Sequence, residues 1–423
     1  MCGIVGYVGS RDATRIVFEG LKRLEYRGYD SAGIALLTEG RVELRRSVGK
    51  LDALERLIER EPPFGTIGIG HTRWATHGRP SEENAHPHLD CRGEIVIIHN
   101  GIVENYLELR QRLRDEGHHF RSQTDTEVIV HLVEGYCTRG HPLEEATRLA
   151  LRELRGNHAV VIMSVHEPDR LIAARLGNAG GVTIGLGNGE SFVASDLPAI
   201  LDHTRTMAFL DDHELAVITR DGFRCLTVDG IPVDKPTITV SWDPIAAAKG
   251  GHKHFMLKEI HEQPRAVADA IRDRVRLDPP SIRLEGVPWD DDDWQRFRRV
   301  LLVGCGTAWH AGLVAKFMLE DLTRLPVEVD YADEFRYRHP IVDSDTLFVA
   351  VTQSGETVDV LVSMAEARAN GAKVLGVVNA IGSQAARSAD GVIYTHAGPE
   401  IGVASTKAFT TQLAALYMLA LKL

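Results

Sequence analysis

Apolar and polar positions follow one rhythm up to about residue 235 of this chain and another beyond residue 299. In the first stretch, apolar runs of strand length recur at residues 3–8, 33–37, 66–70, 94–99 and 159–165. They continue at 171–174, 182–186, 191–194, 206–210 and 214–219. A 3.6-residue periodicity predicts helices over 14–24, 106–116, 126–137 and 143–154. Few of these strands alternate with helices, which predicts an α+β unit, a packed antiparallel sandwich flanked by helices. Beyond residue 299, strands at 300–303, 326–330, 346–351, 373–378 and 391–394 alternate with helices at 309–322, 357–370 and 406–421. That alternation predicts an α/β doubly wound parallel sheet. Between the two stretches, 236–252 reads as a linker rich in Pro, Gly and Lys. A helix is expected over 255–274, kinked or restarted at Pro264.

The 423 residues suit two or three domains, and 44% apolar with 25% charged residues describes a globular protein. A net charge of -11 argues against nonspecific binding to nucleic acid or to an anionic membrane. The five cysteines (2, 91, 137, 225 and 305) form no C-x-x-C pair and suit a reducing cytoplasm. No signal peptide is visible, and the apolar run 414–423 is too short to span a bilayer, so it reads as an amphipathic or buried helix.

Met1-Cys2-Gly3 changes the picture most. Removal of Met1 would leave a cysteine whose amine titrates near ~8 and whose thiol titrates near ~8.5, a nucleophile carrying its own base. Taken alone, Cys2 equally opens a buried strand. His99-Asn100-Gly101 is either a site or an Asn-Gly turn, and the run 122–127 is either a site or a helix cap. His86 and His88 fit no standard zinc spacing, so no metal is expected.

Together these clusters resemble the class II, N-terminal-nucleophile glutamine amidotransferases. The residues that carry the resemblance are Met1 to Gly6, Leu24 to Gly33, Arg73 to Gly78, His99 to Gly101 and Thr124 to Glu127. The stretch from Tyr26 to Gly33 and the helical run from His254 to Pro264 are similar to the glucosamine-6-phosphate synthase family in particular. The resemblance implies a four-layer αββα sandwich over 2–235 and, over 253–423, a linker helix and the first of two sugar-isomerase (SIS) subdomains. It implies L-glutamine and fructose 6-phosphate as substrates, no cofactor, and a homodimer. It assigns Cys2 as nucleophile, Asn100 and Gly101 as the oxyanion hole, and Arg73, Trp74, Thr76, His77 and Asp125 as the glutamine pocket.

In the second stretch, residues 304–307 and 353–357 each place hydroxyl groups and free N–H groups where a helix begins. Either one alone is also an ordinary capped helix. The resemblance maps Thr307, Gln353, Ser354, Thr357, Val403, Ala404 and Ser405 to sugar-phosphate contacts. Ala308 and Thr352 depart from the family, which often has serine at both places. The family's second SIS subdomain, with its Schiff-base lysine, has no counterpart here, so a truncated synthase that only hydrolyses glutamine is expected. A stand-alone glutaminase and a non-catalytic sugar-phosphate binding module are the other readings.

Overall fold

The computed structural model describes residues 2–25, 28–75, 77–240 and 251–423. The expectations for Met1, Thr76 and most of the linker therefore lie outside the described residues. The chain divides into two compact units, Met1–Ser241 and Trp242–Leu423.

In the first unit, the strands are β1 (Gly3–Val8), β2 (Ser31–Thr38), β3 (Arg41–Val48), β4 (Ile67–Arg73), β5 (His88–Leu89), β6 (Ile95–Gly101), β7 (His158–Ser164) and β8 (Arg170–Leu176). They continue as β9 (Thr183–Leu186), β10 (Ser191–Ala194), β11 (Thr206–Phe209), β12 (Glu214–Thr219), β13 (Gly222–Thr227), β14 (Pro232–Val233) and β15 (Ile238–Thr239). They form two antiparallel sheets, ordered β15-β11-β9-β10-β1-β4-β2-β3 and β14-β13-β12-β8-β7-β6-β5. Ile4, Ile69 and Ala35 of one sheet pack against Ile98, Val161 and Ala173 of the other, so the sheets meet face to face.

The helices of this unit are α1 (Ala13–Arg23), α2 (Leu51–Arg60), α3 (Tyr106–Asp115), α4 (Glu127–Thr138) and α5 (Leu143–Glu153). α3, α4 and α5 cover the outer face of the second sheet through Leu109, Val130, Val133 and Ala146. α1 lies on the outer face of the first sheet, where Gly70 admits it: a Cβ there would stand 2.5 Å from Val17 Cγ1. The expected αββα sandwich is what the chain forms. β3 and α2 were missed because both are rich in charge. β3 alternates Arg and Glu along a sheet edge, where charge protects an unpaired strand rather than marking a core.

The second unit begins with α6 (Phe255–Ile271). It runs on through Pro264 without restarting there. The proline leaves the Ile260 carbonyl without its N–H, and Gln263 Nε2 donates to that carbonyl at 3.1 Å. A hairpin, β16 (Val275–Leu277) with β17 (Pro280–Ile282), and a short α7 (Asp291–Gln295) follow.

Next come β18 (Arg299–Gly304), α8 (Thr307–Thr323), β19 (Val327–Tyr331), α9 (Ala332–Phe335), β20 (Thr346–Thr352) and α10 (Val358–Ala369). β21 (Lys373–Val378), α11 (Gln384–Ser388), β22 (Gly391–Tyr394) and α12 (Lys407–Lys422) complete the unit. The strands make a parallel sheet ordered β19-β18-β20-β21-β22. α8 and α12 cover one face; α9, α10 and α11 cover the other. The strand order reverses between β18 and β20, which opens a crevice at their carboxyl ends, the usual ligand position in such sheets. Among the described residues, no helix is long and apolar enough to cross a membrane.

Candidate functional site

Cys2 stands directly before β1, and the register Gly3↔Thr72 of β1 on β4 brings the start of the 73–78 loop to it. The Trp74 N–H donates to Cys2 Sγ at 3.2 Å, and the Gly3 N–H donates to Thr72 Oγ1 at 3.1 Å. Burial pushes the Cys2 thiol up, and the Trp74 N–H works against that rise. Asn100, near the end of β6, donates from Nδ2 to the Cys2 carbonyl at 2.9 Å. Gly101 follows at φ +132, where a Cβ would stand 2.0 Å from the Asn157 carbonyl oxygen, so only glycine ends this strand.

The sequence gives no local sign of what orients Asn100. His71 Nε2 lies 3.1 Å from the His99 carbonyl and 3.0 Å from Asn100 Oδ1. A carbonyl only accepts, so Nε2 carries the proton, Asn100 Oδ1 accepts from it, and the Asn100 NH2 group faces Cys2.

The same logic fixes a buried chain behind the site. His158 Nε2 donates to the Arg155 carbonyl at 3.2 Å, so His158 Nδ1 accepts from His99 Nε2 at 3.1 Å. His99 Nδ1 then accepts from Thr126 Oγ1 at 2.9 Å, and Thr126 Oγ1 accepts from His86 Nε2 at 3.0 Å. His86 also stacks on His71 with ring centroids 4.2 Å apart. His88 stands edge-on to His86 and reaches Thr124 Oγ1 at 3.0 Å. Burial holds all five imidazoles neutral: His71 falls to about 4, His88, His99 and His158 to about 3, and His86 well below its ordinary value.

On the other side of Cys2, buried Arg73 donates from Nη2 to the carbonyls of His77 and Gly78, the latter at 3.2 Å. Its Nη1 is buried with no hydrogen-bond partner among the described residues. Asp125 is held by the Val103 N–H at 2.7 Å, and its Oδ1 lies 3.9 Å from His77 Nδ1. His77 rests against Tyr106, and half-exposed Trp74 against Tyr29. Asp30 is a further residue that sequence reasoning left without a role. It accepts from the Ala75 N–H through Oδ2 and from Ser31 Oγ through Oδ1, and so fixes the 73–78 loop. A larger cavity of about 430 Å³, lined by Val8, Ile67, Asp169 and Arg220, sits at the far end of β1 from Cys2.

In the second unit, a cavity of about 120 Å³ opens in the crevice between β18 and β20. Thr307, Thr352, Gln353, Ser354 and Thr357 line it, together with Gln412 from α12. Thr352 Oγ1 accepts from the Gly355 N–H at 3.2 Å, so the departure from serine keeps a hydroxyl that shapes the loop. Gln412 was not anticipated. It is buried, its Oε1 has no hydrogen-bond partner among the described residues, and it comes from a helix far away in sequence.

Val403 and Ser405 do not line this cavity. Val403 is 84% exposed, and Ser405 donates to Glu400 at 2.8 Å. Their loop is pinned by Glu259 of α6, which accepts from the N–H groups of Ile401 at 2.6 Å and Gly402 at 3.0 Å. Lys407 is buried and ion-paired with Glu262 at 2.7 Å.

Residues 61–227 match the glutamine amidotransferase domain family, and residues 295–422 match the SIS domain family. The chain is 49% identical over 421 residues to the glutamine–fructose-6-phosphate aminotransferase (isomerizing) of Caldanaerobacter subterraneus, and 50% identical over 421 residues to that of Thermus thermophilus. The alignments take in 100% and 99% of this chain and 68% of each relative. Among solved structures, the C-terminal domain of glucosamine-fructose-6-phosphate aminotransferase from Francisella tularensis matches at 38% identity and TM-score 0.37, over 41% of this chain and 49% of that one. On its sequence and on both of its domains, the chain belongs to the glutamine–fructose-6-phosphate aminotransferase (isomerizing) family.

Proposed function

We propose that the first unit hydrolyses L-glutamine at Cys2, and that the nitrogen is destined for fructose 6-phosphate held by the second unit. The products of the whole reaction are glucosamine 6-phosphate and glutamate. The observation that carries this reading is the meeting at Cys2 of the Trp74 N–H on its Sγ and the Asn100 amide on its carbonyl, next to Arg73, whose buried Nη1 has no hydrogen-bond partner among the described residues.

Once Met1 is removed, the Cys2 amine takes the thiol proton and Sγ attacks the glutamine amide carbon. Asn100 Nδ2 and the Gly101 N–H stabilise the oxyanion. The amine then passes its proton to the departing ammonia, and water hydrolyses the thioester to glutamate. Arg73 holds the substrate carboxylate and Asp125 its ammonium; His77 and Thr76 line the pocket, and Trp74 gates ammonia. In the second unit, Thr307, Gln353, Ser354 and Thr357 cradle the sugar phosphate at two helix N-termini. The five unpaired cysteines fit a cytoplasmic protein, and the family resemblance a homodimer.

Glutamine labelled at the amide nitrogen, supplied with fructose 6-phosphate, tests the reading. Label is expected in free ammonia, because Lys407 is committed to Glu262 and no other described residue is assignable as a Schiff-base lysine. Cys2→Ala should abolish release of the label while leaving the fold intact. Turnover retained in Cys2→Ala would refute the assignment.

A further inference from the structure

Four side chains outside the catalytic site converge behind α4. Cys91 comes from the turn between β5 and β6, His118 from the turn after α3, and His131 and Glu134 from one face of α4, three residues apart. Their sulfur, two nitrogens and one oxygen all lie within 4.8 Å of one another. Cys91 Sγ stands 3.6 Å from Nδ1 of both His118 and His131. A zinc ion bonded at about 2.3 Å to sulfur and about 2.0 Å to nitrogen, at tetrahedral angles, places those atoms about 3.5 Å apart. Glu134 Oε2 supplies the fourth corner, 2.8 Å from His118 Nδ1 and 3.0 Å from His131 Nδ1. Those two edges need to open by only about 0.5 Å to become ligand–ligand separations.

We propose that Cys91, His118, His131 and Glu134 form a tetrahedral zinc site. Two features distinguish it from a buried ion pair. Both imidazoles present the same nitrogen, Nδ1, to one point beside a thiol, an arrangement that an ion pair with Glu134 does not require. The other nitrogen of His131 is buried without a hydrogen-bond partner among the described residues and faces Glu127 Oε1 at 3.7 Å. A carboxylate behind a ligating histidine is the usual support of a zinc ligand.

The mixed sulfur, nitrogen and oxygen set selects zinc over magnesium or calcium, which require oxygen. All four corners come from the protein, so the site is closed and structural. Binding releases the Cys91 thiol proton to solvent, and each imidazole that ligates through Nδ1 carries its remaining proton on Nε2, which in His131 faces Glu127. The ion would tie two turns to α4, whose N-terminal approach carries Asp125 and Thr126.

Cobalt(II) added to the full chain with Cys2→Ser, which removes the competing catalytic thiol, tests the proposal. The expected spectrum has a strong near-ultraviolet thiolate-to-cobalt band and the visible bands of four-coordinate cobalt. Cys91→Ser in that background should abolish the ultraviolet band. Glu127→Gln keeps all four ligands and should weaken cobalt binding about 10–100-fold, a readout that survives even if Cys91→Ser fails to fold. A six-coordinate spectrum, loss of all cobalt on desalting, or a thiolate band that persists in Cys91→Ser overturns the proposal.

Discussion

Acidification from pH 7 to pH 5 should come close to unfolding the first unit, and the five buried imidazoles set the size of the effect. In the folded state, burial holds His71 at about 4, His88, His99 and His158 at about 3 and His86 well below its ordinary value, whereas in the unfolded chain each titrates near about 6.5. A depressed histidine leaves stability fully present above the unfolded value, and that stability is lost as pH falls below it, because the unfolded chain takes up the protons. At pH 5 the folded imidazoles are still neutral, so each costs RT times the logarithm of the unfolded binding ratio, about 2 kcal/mol relative to pH 7.

Five such groups sum to about 10 kcal/mol, comparable with the whole stability of a domain, about 5–15 kcal/mol. His131, raised by its side-chain bonds to Glu127 and Glu134, works in the opposite sense and offsets a part of this. The directed chain from His86 to the Arg155 carbonyl explains why the fold does not simply accept the charge: the acceptor nitrogens of His99 and His158 each already face a donor. Hydrogen exchange of β6 and β7 peptides across a urea series, at pH 7 and pH 5, reports on this unit alone. With a slope of about 3 kcal/mol per molar urea, the midpoint should fall by about 3 M. Equal midpoints at the two pH values would mean that the imidazoles are charged in the fold, and the tautomer assignment would fail with them.

Asn100→Ala should lower the turnover number for glutamine hydrolysis about 10²–10³-fold with KM nearly unchanged, because the lost donor serves the transition state; a change confined to KM in steady-state assays would assign Asn100 to substrate binding instead. Glu259→Ala strands the Ile401 and Gly402 N–H groups and should cost the second unit about 2–4 kcal/mol, read as a lower unfolding temperature and faster exchange in residues 400–406. Ser354→Ala should weaken fructose 6-phosphate binding about 10-fold by calorimetry, whereas Val403→Ala, at an exposed position outside the cavity, should leave it unchanged. Equal losses in the two variants would place the sugar beside the 403–405 loop instead.

What was legible in the sequence is what lies close together along the chain. β1, β10, β12, β21 and β22 fall where their apolar runs place them, because a strand buried on both faces leaves an uninterrupted apolar signature. The junctions at 304–307 and 353–357 were legible because strand, loop and helix start follow one another within a few residues. β3 was hidden by its arginines, which mark an edge exposed to water. α6 runs on through Pro264, where a side chain one residue away satisfies the carbonyl that the proline orphans.

The parts that stayed hidden are those assembled across long separations, and they share a physical cause. His71, Asp30, Gln412 and the Cys91 cluster act through partners roughly 29 to 45 residues away or on another element, so no window of local pattern contains both halves. Their common setting is burial of a polar atom, which is costly unless the fold supplies a partner. Most of the imidazole nitrogens are satisfied within the chain, and the tautomers follow from which groups can only accept. Arg73 Nη1 and Gln412 Oε1 are buried without a hydrogen-bond partner among the described residues, and Gln412 lines the cavity of the second unit. In the function proposed above, glutamine's carboxylate has the chemistry to complement Arg73 Nη1 and a sugar hydroxyl the chemistry to complement Gln412 Oε1, and a ligand that does so offsets the cost of burying a polar atom without a partner.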